Sequence, residues 1–324
     1  MTLPPLPGAT GWKRLLAALL LLANAGSAAS QDPTTELPIV IDEVIEVGLQ
    51  QLYVTVTNRR GARVVDLEPE TFSILDDDLP QEIVTFERRD IPVTAVLVVD
   101  GSESMRGAPL TAARSGVEAF ALEMRDLDEA SVLVFSDRLL SRTPFAGTPD
   151  EVLSGLEALE ATGGSAVHDH LYLALKLLEE RQGRRVVLLL SDGLDAHSVV
   201  SFDQLDQVAR VSQSLVYWVR TRQQHRMGAD TLTFGTWAGP NQLERDHRRL
   251  GKLVKQSGGR IVEIDEIADV DWAFREVLSE LREQYAIGYY PNPPHTGSGR
   301  FRTVRVKTDE PGLRIRTREG YVDR

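Results

Sequence analysis

Five short, continuous apolar runs, separated by longer helical patterns, constrain the fold of this sequence more than any other feature. The first covers residues 94–99, is rich in β-branched residues, and ends at Asp100 and Gly101. Runs of this kind are typical of strands that are buried on both faces of a parallel sheet. The other four cover residues 131–135, 186–190, 215–219 and 260–264.

Between these runs, apolar residues recur with the period of an α-helix. The helical patterns cover residues 110–124, 150–160, 167–181, 202–213 and 242–256. Strands that alternate with helices in this way form right-handed βαβ units. The sequence therefore predicts an α/β fold with a doubly wound, mostly parallel sheet, in a domain that covers residues 91–284.

The segments on either side of this domain show the period-two alternation of half-buried strands. Leu52, Val54 and Val56 give the clearest example, and we expect a small antiparallel β-domain over residues 31–90. Further strands are expected at residues 64–65, 72–75 and 83–86, with a turn at 76–80. A helix over 269–284, with Trp272 in its expected buried stripe, leads to C-terminal strands at 285–290, 301–307 and 313–317. These strands, within residues 285–324, are expected to pack with the N-terminal ones.

Residues 1–30 have the composition of a secretory signal peptide. Lys13 and Arg14 precede an apolar run at residues 15–23, and small residues follow as far as Ser30. The run is shorter than the ~20 residues of a membrane-spanning helix, and an uncleaved anchor is the alternative. No later apolar segment is long enough to span a bilayer. We therefore expect a secreted or periplasmic protein with no integral membrane span after cleavage.

Charge and composition narrow the class of partner and of chemistry. A formal net charge of −12 disfavours nucleic acid and anionic membranes and favours cations. The chain has no cysteine, which excludes disulfides, thiolate metal sites and a cysteine nucleophile. It also has no G-x-S-x-G elbow, H-E-x-x-H helix or P-loop, so an enzyme is not expected.

Oxygen-bearing side chains follow two of the predicted buried strands and one glycine loop. Asp100, Ser102 and Ser104 come directly after the first strand, and Asp192 follows the strand at 186–190. Ser165 lies in the glycine loop that opens the helix at 167–181. Ligand sites in doubly wound sheets form beyond the carboxyl ends of the strands. Hard oxygen donors suit Mg²⁺, so the sequence predicts a magnesium site at this edge of the sheet.

This combination resembles the von Willebrand factor A domain with its metal-ion-dependent adhesion site. The resemblance implies that Ser102, Ser104 and Ser165 bind Mg²⁺, or Mn²⁺, directly, and that Asp100 and Asp192 act mostly through bound water. It also implies an open coordination position for an Asp or Glu side chain of a protein partner. Ser165 replaces the family's threonine, and Glu103 stands where the family often has a small residue. Glu103 would either tighten metal binding or repel an acidic ligand.

The flanking segments are similar to those of a secreted bacterial von Willebrand factor A-related family. The motif at residues 284–290 and the chain ending at residues 320–321 carry this similarity. The function that this implies is an exported, metal-dependent protein-binding or adhesion module. The alternatives are a metal-free structural component of an envelope assembly and a Mg²⁺-dependent hydrolase. The sequence carries no signal for the oligomeric state.

Other polar groups have simpler interpretations. His168 and His170 are two residues apart on a helix and face different ways, so they do not predict a zinc site. The basic residues of 300–307, Arg302 among them, are expected to lie on a solvent face. A solvated turn is expected to hold the acidic residues Glu123, Asp126, Asp128 and Glu129.

Overall fold

The computed structural model describes residues 48–88, 91–156, 160–221 and 240–324. The predicted signal peptide at 1–30 lies outside the described residues. Within them, the strands are β1 (Gln50–Thr57), β2 (Phe72–Asp76), β3 (Leu79–Gln81), β4 (Thr85–Arg88), β5 (Val93–Asp100), β6 (Glu129–Phe135), β7 (Leu139–Arg142), β8 (Arg184–Leu190), β9 (Leu215–Thr221), β10 (Ile261–Ile264), β11 (Tyr285–Tyr289), β12 (Phe301–Thr308), β13 (Arg314–Arg316) and β14 (Gly320–Val322). The helices are α1 (Ala108–Leu122), α2 (Pro149–Leu153), α3 (Val167–Glu179), α4 (Phe202–Ser212), α5 (Pro240–Gln256) and α6 (Val270–Arg282). No helix in these ranges is both long enough and apolar enough to cross a membrane.

The central sheet has six strands in the order β10-β9-β8-β5-β6-β7. All neighbours are parallel except β7, an edge strand that pairs antiparallel with β6. Every residue of β5 is buried, because helices cover both faces of the sheet. Leu97 and Val99 pack on one face with α1, α2 and α6, while Val96 and Val98 pack on the other with α3, α4 and α5. The predicted doubly wound, mostly parallel α/β fold is therefore confirmed.

The order of these strands places a topological switch point beside β5. From β5 the chain proceeds to β6 on one side, and it later returns to β8 on the other. The segment after β5 leads to α1 on one face, and the segment after β8 leads to α4 on the opposite face. Ligand sites of open α/β sheets lie in the crevice that such diverging loops leave.

Two smaller sheets combine strands from both ends of the described chain. Their orders are β13-β1-β11-β4 and β14-β12-β2-β3. Leu52 of β1 pairs with Ile287 of β11, and Ile74 of β2 pairs with Val306 of β12, both antiparallel. All four of these residues belong to one hydrophobic core. The expectation that C-terminal strands pack with N-terminal ones is confirmed.

Several elements differ from the predictions in length or orientation. The helix expected at 150–160 is shorter, because α2 ends at Leu153 and a 3-10 turn (Ser154–Leu156) follows. The strand expected at 64–65 does not form, and an isolated bridge joins Thr57 to Arg63 instead. Trp272 is 54% exposed. It lies about 200° around α6 from Val270, which starts the buried face, because each residue of an α-helix turns by about 100°.

Two charged residues that were expected in solvent are buried. Asp128 is only 3% exposed; it accepts hydrogen bonds from the backbone N of Val93 (2.9 Å) and Arg125 (2.8 Å), and it pairs with Arg282. Arg302 is also buried, because it shares the inward face of β12 with Val304 and Val306. Its Nε lies 2.9 Å from Oδ1 of the fully buried Asp76. Both ion pairs therefore belong to the interior.

Candidate metal centre

The loop after β5 brings three of the predicted residues together. Asp100 ends β5 and is 0% exposed. Its Oδ1 accepts a hydrogen bond of 2.9 Å from the backbone N of Ser102, and the hydroxyl oxygens of Ser102 and Ser104 are 3.1 Å apart. A short 3-10 turn (Glu103–Met105) carries the loop onward, and its Met105 is buried in the core. The hydroxyls are thus held between a buried strand end and a buried methionine.

The end of β8 supplies the second carboxylate. Ser104 Oγ donates to Asp192 Oδ2 at 3.2 Å, and the backbone N of Leu194 donates to Asp192 Oδ1 at 2.9 Å. Ser191, which the sequence interpretation gave no role, donates from Oγ to Asp100 Oδ2 at 2.7 Å. The parallel register that pairs Val99 with Leu190 makes Asp100 and Ser191 the next residues along the two strands. This register was the signal by which Ser191 could have been found.

The glycine loop at 162–166 adds the third hydroxyl. Ser165 Oγ lies 3.2 Å from Asp100 Oδ2. Backbone hydrogen bonds fix the loop to the first one, from Thr162 N to Gly101 O (2.9 Å) and from Glu103 N to Gly163 O (3.0 Å). Gly163 has φ +73°, and a Cβ on it would lie 2.8 Å from a carboxylate oxygen of Asp137. Only glycine fits this position without strain.

All five predicted residues therefore meet in one hydrogen-bonded cluster. Its members are Asp100, Ser102, Ser104, Ser165 and Asp192. Four of them are buried, and Ser104 is exposed. The cluster thus opens to solvent through Ser104.

The electrostatics of the cluster favour a cation. Burial raises the pKa of Asp100, against hydrogen bonds from Ser102, Ser191 and Ser165 that favour its charged form. Burial and the negative charge of Asp100 together raise the pKa of Asp192 to about 7. Among the described residues, neither carboxylate forms a salt bridge with lysine or arginine. Two buried like charges without a basic partner are destabilising, and a bound cation would compensate both.

The chemistry of the donor set fits Mg²⁺ or Mn²⁺. Two carboxylates and three hydroxyls offer oxygen alone, as hard divalent cations prefer. The described residues contain no group of three or more His, Cys, Asp or Glu side chains that could hold a metal ion. The cluster around Asp100 is of a different kind, because three of its five oxygen donors are serine hydroxyls. The residues present therefore fit a hard divalent cation.

The rim of the cluster carries two more acidic residues, and each is paired with an arginine. Glu103 binds Arg106 with oxygen–nitrogen distances of 2.5 and 2.7 Å. Asp137 lies 3.0 Å from Arg138. Glu103, whose effect the sequence left undecided, is therefore engaged in a salt bridge.

The two neighbouring histidines have separate partners. His168 Nδ1 lies 2.8 Å from Asp195 Oδ2. His170 Nδ1 lies 2.7 Å from the carbonyl oxygen of Ala166, and its ring stacks on Phe135. The two rings bind different groups, as expected from their spacing of two residues.

Comparison with known proteins identifies the domain that carries this cluster. Residues 95–194 match the family profile of the von Willebrand factor type A domain. Uncharacterized protein sll0103 of Synechocystis sp. is 28% identical over 113 residues, which are 34% of this chain and 27% of that protein. The aligned part of the chain thus spans about a quarter of that relative's length.

Solved structures of low sequence identity are also similar. A von Willebrand factor type A protein from Catenulispora acidiphila is 14% identical, with a TM-score of 0.44, covering 85% of this chain and 64% of that one. The vWF domain of the type V pili tip protein Mfa5 from Porphyromonas gingivalis is 21% identical, with a TM-score of 0.30, covering 32% and 39% of the two chains.

The matched segment coincides with the part of the chain that builds the cluster. It begins within β5, ends two residues after Asp192, and contains all five predicted site residues. Domains of this type typically serve in protein interaction or adhesion. The segment 95–194 of this chain is therefore a von Willebrand factor type A domain.

Proposed function

We propose that this chain is an exported protein-binding module that holds Mg²⁺ at the cluster around Asp100 and thereby binds an acidic side chain of a protein partner. The observation that carries the proposal is the meeting of three serine hydroxyls with two buried carboxylates, which have no basic partner among the described residues. Mn²⁺ is the alternative ion, because the same oxygen donors suit it.

The hydrogen bonds of the cluster support distinct roles for its hydroxyls and carboxylates. Ser104 Oγ donates its proton to Asp192, and Ser165 Oγ donates to Asp100. A hydroxyl that donates its proton still has an oxygen lone pair with which to bind an ion, so both oxygens remain available as ligands. We assign direct binding to these two hydroxyls and to Ser102, and water-mediated binding to Asp100 and Asp192.

The partner's acidic group would approach through the exposed side of the cluster. Ser104 is the only exposed member of the five, so an incoming carboxylate would reach the ion beside it. The bound ion would supply the positive charge that attracts this carboxylate. Ser191 and the backbone N of Ser102 hold Asp100 in place from below, through bonds of 2.7 and 2.9 Å. The chain's own residues thus orient the site before a partner binds.

An exported location is the second part of the proposal. It is supported by the composition of residues 1–30, in which Lys13 and Arg14 precede a short apolar run and a small-residue segment. N-terminal sequencing of the protein from the extracellular or periplasmic fraction would test it. A chain that begins at Ala29, Ser30 or Gln31 is expected, and an intact N-terminus in the cytoplasm would contradict export.

Calorimetric titration with Mg²⁺ and with Mn²⁺ tests the metal site. We expect saturable binding by the wild type and its loss in Ser104→Ala and Ser165→Ala. Ser115→Ala is the matched control, because Ser115 is an exposed serine of α1 whose hydroxyl donates to Thr111 O within the same helix. An absence of binding by the wild type would refute the proposal and leave a metal-free structural component. Equal binding by all four proteins would place the ion elsewhere.

A further inference from the structure

Glu103 brings a third carboxylate to the mouth of the cluster, between two of the proposed ligands. It lies directly between Ser102 and Ser104 in the sequence. Its side chain is 37% exposed, and that of its partner Arg106 is 64% exposed. Both carboxylate oxygens are engaged, Oε1 by Nε at 2.5 Å and Oε2 by Nη2 at 2.7 Å. This two-point pairing fixes the orientation of the carboxylate.

The pair is also fastened to the neighbouring glycine loop. Arg106 Nη2 donates to the carbonyl oxygen of Ala161 at 3.0 Å. The backbone N of Glu103 donates to Gly163 O at 3.0 Å. The salt bridge thus joins the segment of the first two serine hydroxyls to the loop that carries Ser165.

A contribution to folding stability does not by itself explain the Glu103–Arg106 salt bridge. Exposed ion pairs contribute roughly 0–1 kcal/mol to folding. The position of the pair gives it another effect, because any net charge here acts on ions that approach Ser104. The paired residues add no net charge, whereas a Glu103 without its arginine would add one negative charge beside the ligands.

We infer that Arg106 is a positioning residue that sets the charge of the metal site's mouth by keeping Glu103 in a salt bridge. This inference rests on the proposed metal-binding function. An unpaired Glu103 attracts a divalent cation and repels the carboxylate of an acidic partner. Arg106 therefore lowers the affinity for the bare ion and keeps the mouth open to an acidic ligand.

A double-mutant cycle tests the inference with Mn²⁺ as the probe, measured by calorimetry on the full chain. Arg106→Gln is expected to bind Mn²⁺ about two- to five-fold more tightly at low salt. This range is the effect of one charge on the order of 8 Å from a divalent ion in water. Glu103→Gln is expected to bind more weakly by a similar factor, since it leaves Arg106 unpaired. The double variant restores neutrality and is expected to match the wild type.

Salt separates this charge effect from a mechanical one. At about 1 M KCl the Debye length is only about 3 Å, so the differences between the variants are expected to disappear. A role limited to holding the loops would weaken binding in both single variants at any salt, and that result would overturn the inference.

The control is Arg88→Gln, which breaks the Arg88–Glu68 pair on a strand of another sheet. It changes the net charge by the same amount, and we expect it to leave the Mn²⁺ affinity unchanged. An equal gain in affinity for Arg88→Gln and Arg106→Gln would show an effect of overall charge and would overturn the inference. Failure of the wild type to bind Mn²⁺ refutes the proposed function itself. Equal binding by all variants in a protein that does bind refutes only the role of Arg106.

Discussion

Replacement of Asp192 by asparagine is expected to stabilise the protein in the absence of divalent cations and to remove its response to Mg²⁺. Asparagine keeps the size of the side chain and the Oδ1 acceptor for the backbone N of Leu194. It removes the negative charge that is buried beside Asp100. Burial and that charge raise the pKa of Asp192 from 3.8 to about 7. A shift of about 3 pKa units corresponds to ~4 kcal/mol, at 1.36 kcal/mol per unit.

The sign of the pH dependence follows from this raised pKa. Between about pH 4 and pH 7 the folded protein holds a proton on Asp192 that the unfolded chain has released. The stability of the metal-free wild type therefore falls as the pH rises through this window. Asparagine has no such proton, so the variant's advantage is expected to be near zero at about pH 4. It is expected to grow to at most ~4 kcal/mol at about pH 8.

The assay is urea unfolding at both pH values, with a chelator and then with Mg²⁺. A ligand that binds only the folded state stabilises it by RT ln(1 + [L]/Kd), so Mg²⁺ is expected to stabilise the wild type and not Asp192→Asn. The control is Asp203→Asn, which removes an exposed carboxylate at the start of α4. A variant that is less stable than the wild type at about pH 8 with chelator would refute the repulsion between the two buried carboxylates. Equal responses to Mg²⁺ would refute the site.

Three further perturbations test the scaffold of the site. Ser191→Ala removes the 2.7 Å bond to Asp100 and is expected to lower the free energy of unfolding by about 1.5–3 kcal/mol at neutral pH, as measured by urea unfolding; a change as small as that of Ser115→Ala would contradict this. Gly163→Ala forces a Cβ against Asp137 at positive φ and is expected to weaken Mn²⁺ binding, whereas Gly61→Ala, at φ +83° in open space, shares only the backbone strain and should not affect binding. Asp128→Asn leaves Arg282 buried without its partner and is expected to destabilise by about 3–5 kcal/mol. Hydrogen bonds from Arg282 and two backbone N–H groups hold the pKa of Asp128 below its usual value despite burial. The wild type should therefore lose this stabilisation as the pH falls below about 4. A variant whose stability falls with acid as much as that of the wild type would count against the ion pair.

The central sheet could be predicted because its strands are buried on both faces. Residues 93–100 are all buried, and residues 95–99 form an uninterrupted apolar run, unlike the alternating pattern of a one-sided strand. The edge strand β7 escaped prediction because it is short and mostly exposed, with a burial pattern that contains no fully buried residue. Its pairing with β6 depends on a tertiary contact that local pattern does not encode.

The meeting of the five residues of the proposed site could be predicted because each follows a recognisable strand end or precedes a helix. Ser191 was missed because its role depends on the register between β5 and β8 rather than on its neighbours in sequence. Asp128 and Arg302 were misplaced for a related reason. A charge in a polar stretch is usually solvated, and only the partners Arg282 and Asp76, distant in sequence, make burial favourable.

The hydrogen bonds of the cluster would allow the proposed metal site to remain folded without an ion. Ser104 donates to Asp192, while Ser165 and Ser191 donate to Asp100. These bonds satisfy the buried oxygens only in part, since burial still raises the pKa of Asp100, and burial together with the charge of Asp100 raises the pKa of Asp192. The remaining unfavourable free energy would increase the affinity of the proposed site for a cation, because a bound cation would relieve it. A more stable metal-free cluster, such as that of Asp192→Asn, would for the same reason be a poorer metal site.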